Sequence, residues 1–154
     1  MLPHVNNVDA FGYNANLIDR GTPYETESWA WLLDPAHRGR MALLNDPAIG
    51  FMDAALAVQA RGDMTFENIG NMMQQETDGL VEILVNAKKH GHFHTLWSSF
   101  GESVDLMGGG GVAVESVWSP VVTAFVGGVR TLSMHRPKRA IEPGMAACAF
   151  PLKP

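Results

Sequence analysis

The chain has 154 residues, enough for one domain with a real core and too few for two comfortable ones. Apolar residues at 46% and charged residues at 18% exclude a disordered tail, and a net charge of −5 excludes recruitment of nucleic acid by bulk electrostatics. The single cysteine, Cys148, excludes an internal disulfide and, flanked by apolar residues, reads as a small core side chain.

The first element in chain order is a short strand over Val8–Tyr13. A polar stretch punctuated by Gly21 and Pro23 follows, until Ser28 caps a short helix, SWAWLLDP. Trp29, Leu32 and Leu33 share one face of it, Pro35 stops it, and Trp29 and Trp31 read as packing residues. Met41–Leu44 is a short apolar run and a buried strand. Asp46 as N-cap and Pro47 at the first helical position start a helix that reaches about Arg61 and ends at Gly62. Residues 63–73 form a loop or weak helix whose methionines fill gaps. The clearest helix is TDGLVEILVNAKKHG. Leu80, Ile83, Leu84 and Ala87 form its apolar stripe, with cations in the last turn and Gly91 as a left-handed cap.

His92–Trp97 is the next strand, and Ser99-Phe100-Gly101-Glu102 matches the capping box that opens a helix to about Met107. Four glycines, Gly108–Gly111, break it. Val112–Val117 is a strand, and Ser119-Pro120 starts a helix that ends by Gly127-Gly128. Arg130–Met134 and Gly144–Phe150 are the last strand candidates. Arg136, Lys138 and Arg139 read as a solvated loop.

Alternating strands and helices predict an α/β domain, a layered open sheet flanked by helices and largely parallel. Parallel strands end on one edge, which gathers Asn45-Asp46-Pro47, Trp97-Ser98-Ser99 and Trp118-Ser119-Pro120. Each junction begins a helix, with unpaired backbone N–H groups and the positive end of the dipole. Trp97 and Trp118 add flat apolar surface. Asn45, Asp46, Ser98, Ser99, Trp118 and Ser119 are therefore the candidate ligand-binding residues.

HGHFHTLW raises a rival reading. On a strand His92 and His94 would face one side and share a metal, as in a metal-dependent hydrolase. No cysteine or acidic third ligand stands at a useful spacing, so these histidines are expected to be exposed and unliganded, with no cofactor and no catalysis. The glycine run follows a helix and precedes a strand, the reverse of a phosphate loop, and neither G-x-S-x-G nor H-E-x-x-H occurs.

Three segments carry a resemblance: PHVNNVDAFGYN (3–14), WAWLLDPAHRGRMALLND (29–46) and GGVAVESVWSP (110–120). They resemble the extracellular solute-binding proteins of ABC transporters, of the spermidine/putrescine-binding type, over nearly the whole chain up to about Val126. The resemblance implies the second lobe of a two-lobe periplasmic binding protein-like (type II) fold. Residues 1–154 would then be a single domain, with 1–14 and 144–154 near the hinge. It also implies a small-molecule solute, an ABC permease as partner and a periplasmic setting. The opening MLPHVNNVDAF lacks the basic-then-apolar pattern of a signal peptide, which would precede the first lobe, so a truncated domain is expected. Trp118 matches the aromatic that polyamine binders stack on their ligand. Their acidic positions hold Pro47 and Gly50 here, with Asp46 adjacent, and their late Trp-x-Asp contact falls near Gly144–Ala146. A small polar solute, polyamine-like or carboxylate- or amino-acid-like, suits these residues. An uncovered cleft or hinge edge also makes self-association, as a homodimer or interaction module, an expectation.

Overall fold

The computed structural model describes residues 9–19, 21–22, 25–118, 120–121 and 132–134. Its strands are β1 (Asp9–Asn14), β2 (Met41–Leu44), β3 (Phe93–Trp97), β4 (Val114–Trp118) and β5 (Leu132–Met134). Its α-helices are α1 (Ile49–Arg61), α2 (Gln74–Lys89) and α3 (Phe100–Gly109). The expectations at Gly127-Gly128, at Arg136–Arg139, at the 144–150 strand and at Cys148 lie outside the described residues.

The strands form one sheet in the order β3-β2-β4-β1-β5. β2 pairs in parallel with β3 and β4, while β1 runs antiparallel to both β4 and β5. The sheet is therefore mixed rather than largely parallel. The strand-helix alternation from β2 to β4 sets those three parallel. β1 enters before the first long helix, and no crossover constrains its direction.

β2 shows why the sheet is layered, since all four of its residues are buried. Met41 and Leu43 join the aromatic and α1 side chains of one core, with Leu80 of α2; Ala42 and Leu44 join Trp97 and Met107 on the other face, under α3. Period-two alternation thus feeds two cores from one strand. In the first core Phe11 packs edge-on to Trp29 at 5.5 Å, and Tyr13 packs edge-on to Trp31 at 5.1 Å. Both tryptophans are packing residues, as their spacing predicts.

The helix boundaries follow their caps. Ser28 accepts from the Ala30 N–H, but the segment it caps is a 3-10 helix of five residues, Trp29–Leu33. Pro35 follows too closely for an α-helix to propagate. Gly62 ends α1 where the sequence stops it, in the left-handed conformation at φ 80°. α2 begins at Gln74, three residues before Thr77, where the sequence opens the helix. Glu76 reaches back to the backbone N–H groups of Met73 (2.7 Å) and Glu67 (2.9 Å), extending the first turn and tying the preceding loop to it.

Candidate functional site

Because β2, β3 and β4 run parallel, their C-terminal ends reach one rim. Asn45, just past β2, donates its N–H to the Trp97 carbonyl at 2.7 Å, and its side-chain amide reaches Ser98 Oγ at 3.4 Å. The first two predicted junctions therefore adjoin. The ring of Trp118, at the end of β4, meets Trp97 edge-to-face, with centroids 5.0 Å apart and planes at 78°. That contact brings in the third junction. Trp97 is only 1% exposed, while Trp118 stays half-buried. Trp97 is thus a prop beneath Trp118 rather than a second exposed surface. Ser119 lies outside the described residues.

The predicted unpaired amides are mostly occupied. Asp46 Oδ1 accepts from the N–H groups of Ala48 (2.8 Å) and Ile49 (2.7 Å). Glu102 Oε2 accepts from Ser98 (2.6 Å) and Ser99 (3.2 Å), and Ser99 Oγ accepts from the Glu102 N–H, completing the predicted capping box. Two helix N-termini that an anion would seek are thus already neutralised by the chain's own carboxylates. Among the described residues, Asp46 Oδ2 and Glu102 Oε1 accept no hydrogen bond, so each carboxylate keeps one oxygen for other partners.

Gly50, in the first turn of α1, is set by sterics. A Cβ there would lie 1.9 Å from the Leu44 carbonyl oxygen. The close approach of α1 to the end of β2 excludes any side chain, and with it a carboxylate, from this position. Sequence reasoning also missed Ser116. The β2–β4 ladder pairs Met41 with Val114 and Ala42 with Glu115; farther along, the buried Ser116 hydroxyl accepts the Leu44 N–H at 2.9 Å. A serine amid apolar strand residues was the signal available.

Behind the rim, Glu115 of β4 is fully buried, and neither carboxylate oxygen has a hydrogen-bond partner among the described residues. Burial pushes its carboxyl up to about 8; the Ser103 hydroxyl of α3, close by but outside good hydrogen-bond geometry, pulls it back only in part. The group is therefore largely neutral at pH 7.

The histidine pair does not assemble. His92 is buried, with Nε2 3.1 Å from the Leu32 carbonyl, whereas His94 is exposed. The β2–β3 register steps from Met41↔Phe93 to Ala42↔Thr95, skipping His94. This bulge breaks the alternation that would place both rings on one face. Burial lowers the His92 pKa, keeping the ring neutral. Among the described residues no three His, Cys, Asp or Glu side chains gather in metal-binding geometry. An open pocket of about 400 Å³ does occur, but away from the rim, beside Trp31 and Asp34.

No protein-family model and no curated protein matches the chain. Solved structures do match. The spermidine/putrescine ABC transporter substrate-binding protein PotD of Streptococcus pneumoniae aligns with a TM-score of 0.64 at 12% identity, over 85% of this chain and 36% of its own. An ABC transporter substrate-binding protein of Bradyrhizobium japonicum aligns at 0.61 and 22% identity, over 82% and 36%. The TpPotD lipoprotein of Treponema pallidum aligns at 0.57 and 14%, over 77% and 33%. The chain spans about a third of the length of the proteins it matches. Its fold is that of one lobe of an ABC-transporter substrate-binding protein.

Proposed function

We propose that this chain is the solute-binding lobe of an ABC-transporter receptor, acting by binding and not by catalysis. The observation that carries this reading is the rim. Half-buried Trp118, propped by sealed Trp97, stands beside the Asn45–Ser98 contact, in a fold shared with such receptors. Trp118 would supply the flat face, and Asn45, Asp46, Ser98, Ser99 and Ser119 the polar contacts. A first lobe would close over the rim by a hinge motion and present the solute to a permease outside the cytoplasm. Among the described residues no helix is long and apolar enough to cross a membrane.

The rim's own charges favour a small polar solute bearing an amine over a carboxylate. Asp46 and Glu102 already hold the helix N-termini and present their second oxygens. An ammonium group would gain charge-assisted hydrogen bonds there, while an anion would find few unoccupied donors. One lobe makes half the contacts of a closed receptor, so affinity is expected to be in the millimolar range. Titrating the chain with putrescine and with succinate, while following the Trp118 indole N–H by NMR, tests this. Saturable millimolar shifts with putrescine are expected, and in Trp118→Ala the Asn45 side-chain amide signal on the same rim should no longer respond. Submicromolar affinity would overturn the half-site, and an equal or stronger response to succinate would overturn the amine preference.

A further inference from the structure

The edge of the sheet opposite the rim carries an open pocket. β1 runs antiparallel to β4, so the loop after Asn14 emerges beside the start of β4, with the Asn14 N–H bonded to the Ala113 carbonyl at 2.9 Å. The 3-10 segments before β2 reach the same edge. Between them lies a space of about 400 Å³, walled by Leu17, Ile18, Asp19, Trp31, Asp34 and His37 among others. That volume falls within the size range of small-molecule pockets.

We propose that this cavity binds a small organic ammonium ion, with Trp31 as its aromatic wall and Asp19 and Asp34 as its counter-charges. The walls are held in place before any ligand arrives. Trp31 is pinned by Tyr13 edge-on at 5.1 Å and by Phe11 at 5.9 Å. Asp34 is oriented by accepting the Ala36 N–H at 2.9 Å through Oδ1, which leaves Oδ2 for a ligand. The Asp19 loop is closed by hydrogen bonds from Leu17 and Ile18 to the carbonyl of buried Asn14, and from Asn16 to its side chain.

The chemistry selects the ligand class. Among the described residues two carboxylates, one histidine and no lysine or arginine line the space, which disfavours an anion. A bare metal ion lacks a third charged ligand, since no metal-binding group of three occurs among the described residues. An indole face beside carboxylates suits an ammonium carried on an apolar body, which gains cation–π attraction and charge-assisted hydrogen bonds together. The site does not depend on the rim, because the two lie at opposite ends of the strands.

The test is an NMR titration of the full chain with benzylammonium and, as neutral counterpart, benzyl alcohol. The Trp31→Phe variant identifies the Trp31 indole N–H signal. A saturable shift of that signal by benzylammonium at millimolar concentration is expected. Binding should weaken at least about tenfold for the alcohol and for Asp19→Asn/Asp34→Asn. Asp19 is exposed, so Asp19→Asn alone serves if the double variant does not fold, with a smaller loss expected. Equal response to the alcohol, unchanged binding in the variants, no shift with either probe, or movement of the Trp118 signal alone would each overturn the proposal. Since Trp31 and Trp118 report separately, failure here leaves the rim reading standing, and the reverse also holds.

Discussion

Replacing Glu115 with Gln should flatten the pH dependence of this protein's stability. In the folded chain the Glu115 carboxyl keeps its proton until about pH 8, against an ordinary value of 4.5, because burial penalises its charged form. Between those two values the folded state therefore binds one more proton than the unfolded state. Rising pH then favours unfolding, by about 1.4 kcal/mol per pH unit. The contribution is fully present below pH 4.5, is lost progressively up to about pH 8, and adds no further slope above that. A gap of about three and a half units corresponds to about 5 kcal/mol over the whole window and about 3 kcal/mol by pH 7. This is a large share of the 5–15 kcal/mol typical of a small domain, roughly speaking. Urea unfolding followed by circular dichroism at pH 5, 6, 7 and 8 measures it. Glu115→Gln keeps the shape and removes the titration, and subtracting the variant's curve cancels other groups. One of those is His92, whose lowered pKa makes acidification below about 6.5 destabilising, the opposite sign. Parallel curves for wild type and variant from pH 5 to 8 would refute the reasoning, as would a wild type that gains stability relative to the variant as pH rises.

Gly50→Ala, with its Cβ 1.9 Å from the Leu44 carbonyl, should cost about 3 kcal/mol or more in thermal unfolding. Gly101→Ala in α3, whose Cβ would meet nothing within 4 Å, should be neutral or stabilising by up to about 1 kcal/mol. The two rim tryptophans should separate by assay: Trp97→Ala should cost about 3–5 kcal/mol in urea unfolding, whereas Trp118→Ala, half-buried, should cost less and abolish the putrescine response. Asp46→Ala, which removes the acceptor for two α1 amides, should cost about 1 kcal/mol by denaturation and weaken putrescine binding in the same preparation.

Much of the candidate site was legible because its parts are local. Asp46, the Ser99–Glu102 box and the caps at Gly62 and Gly91 act on backbone groups within a few residues, and hydrogen bonding across so short a span is readable from spacing alone. The same locality made the ends of β2 and β3 readable as helix starts, and the rim shared by the three strand ends follows from the parallel run of β2, β3 and β4. Other features depend on partners far away in the chain. The bulge at His94 arises in pairing with β2, some fifty residues earlier, and His92, before the start of β3, is held by the distant Leu32 carbonyl. Trp97 is sealed among Ala42, Leu44, Met107 and Val112 whereas Trp118 only packs against that cluster, which no local pattern ranks.

The amino-acid order by itself determined most element ends to within a few residues and which edge collects the polar turns, since caps, glycines and apolar period act through near neighbours. Only the tertiary structure decided the direction of β1, the burial of Glu115 beneath α3, and the cavity at the far edge. Those depend on surfaces meeting from distant segments, where the free energy belongs to the contact and not to either segment alone.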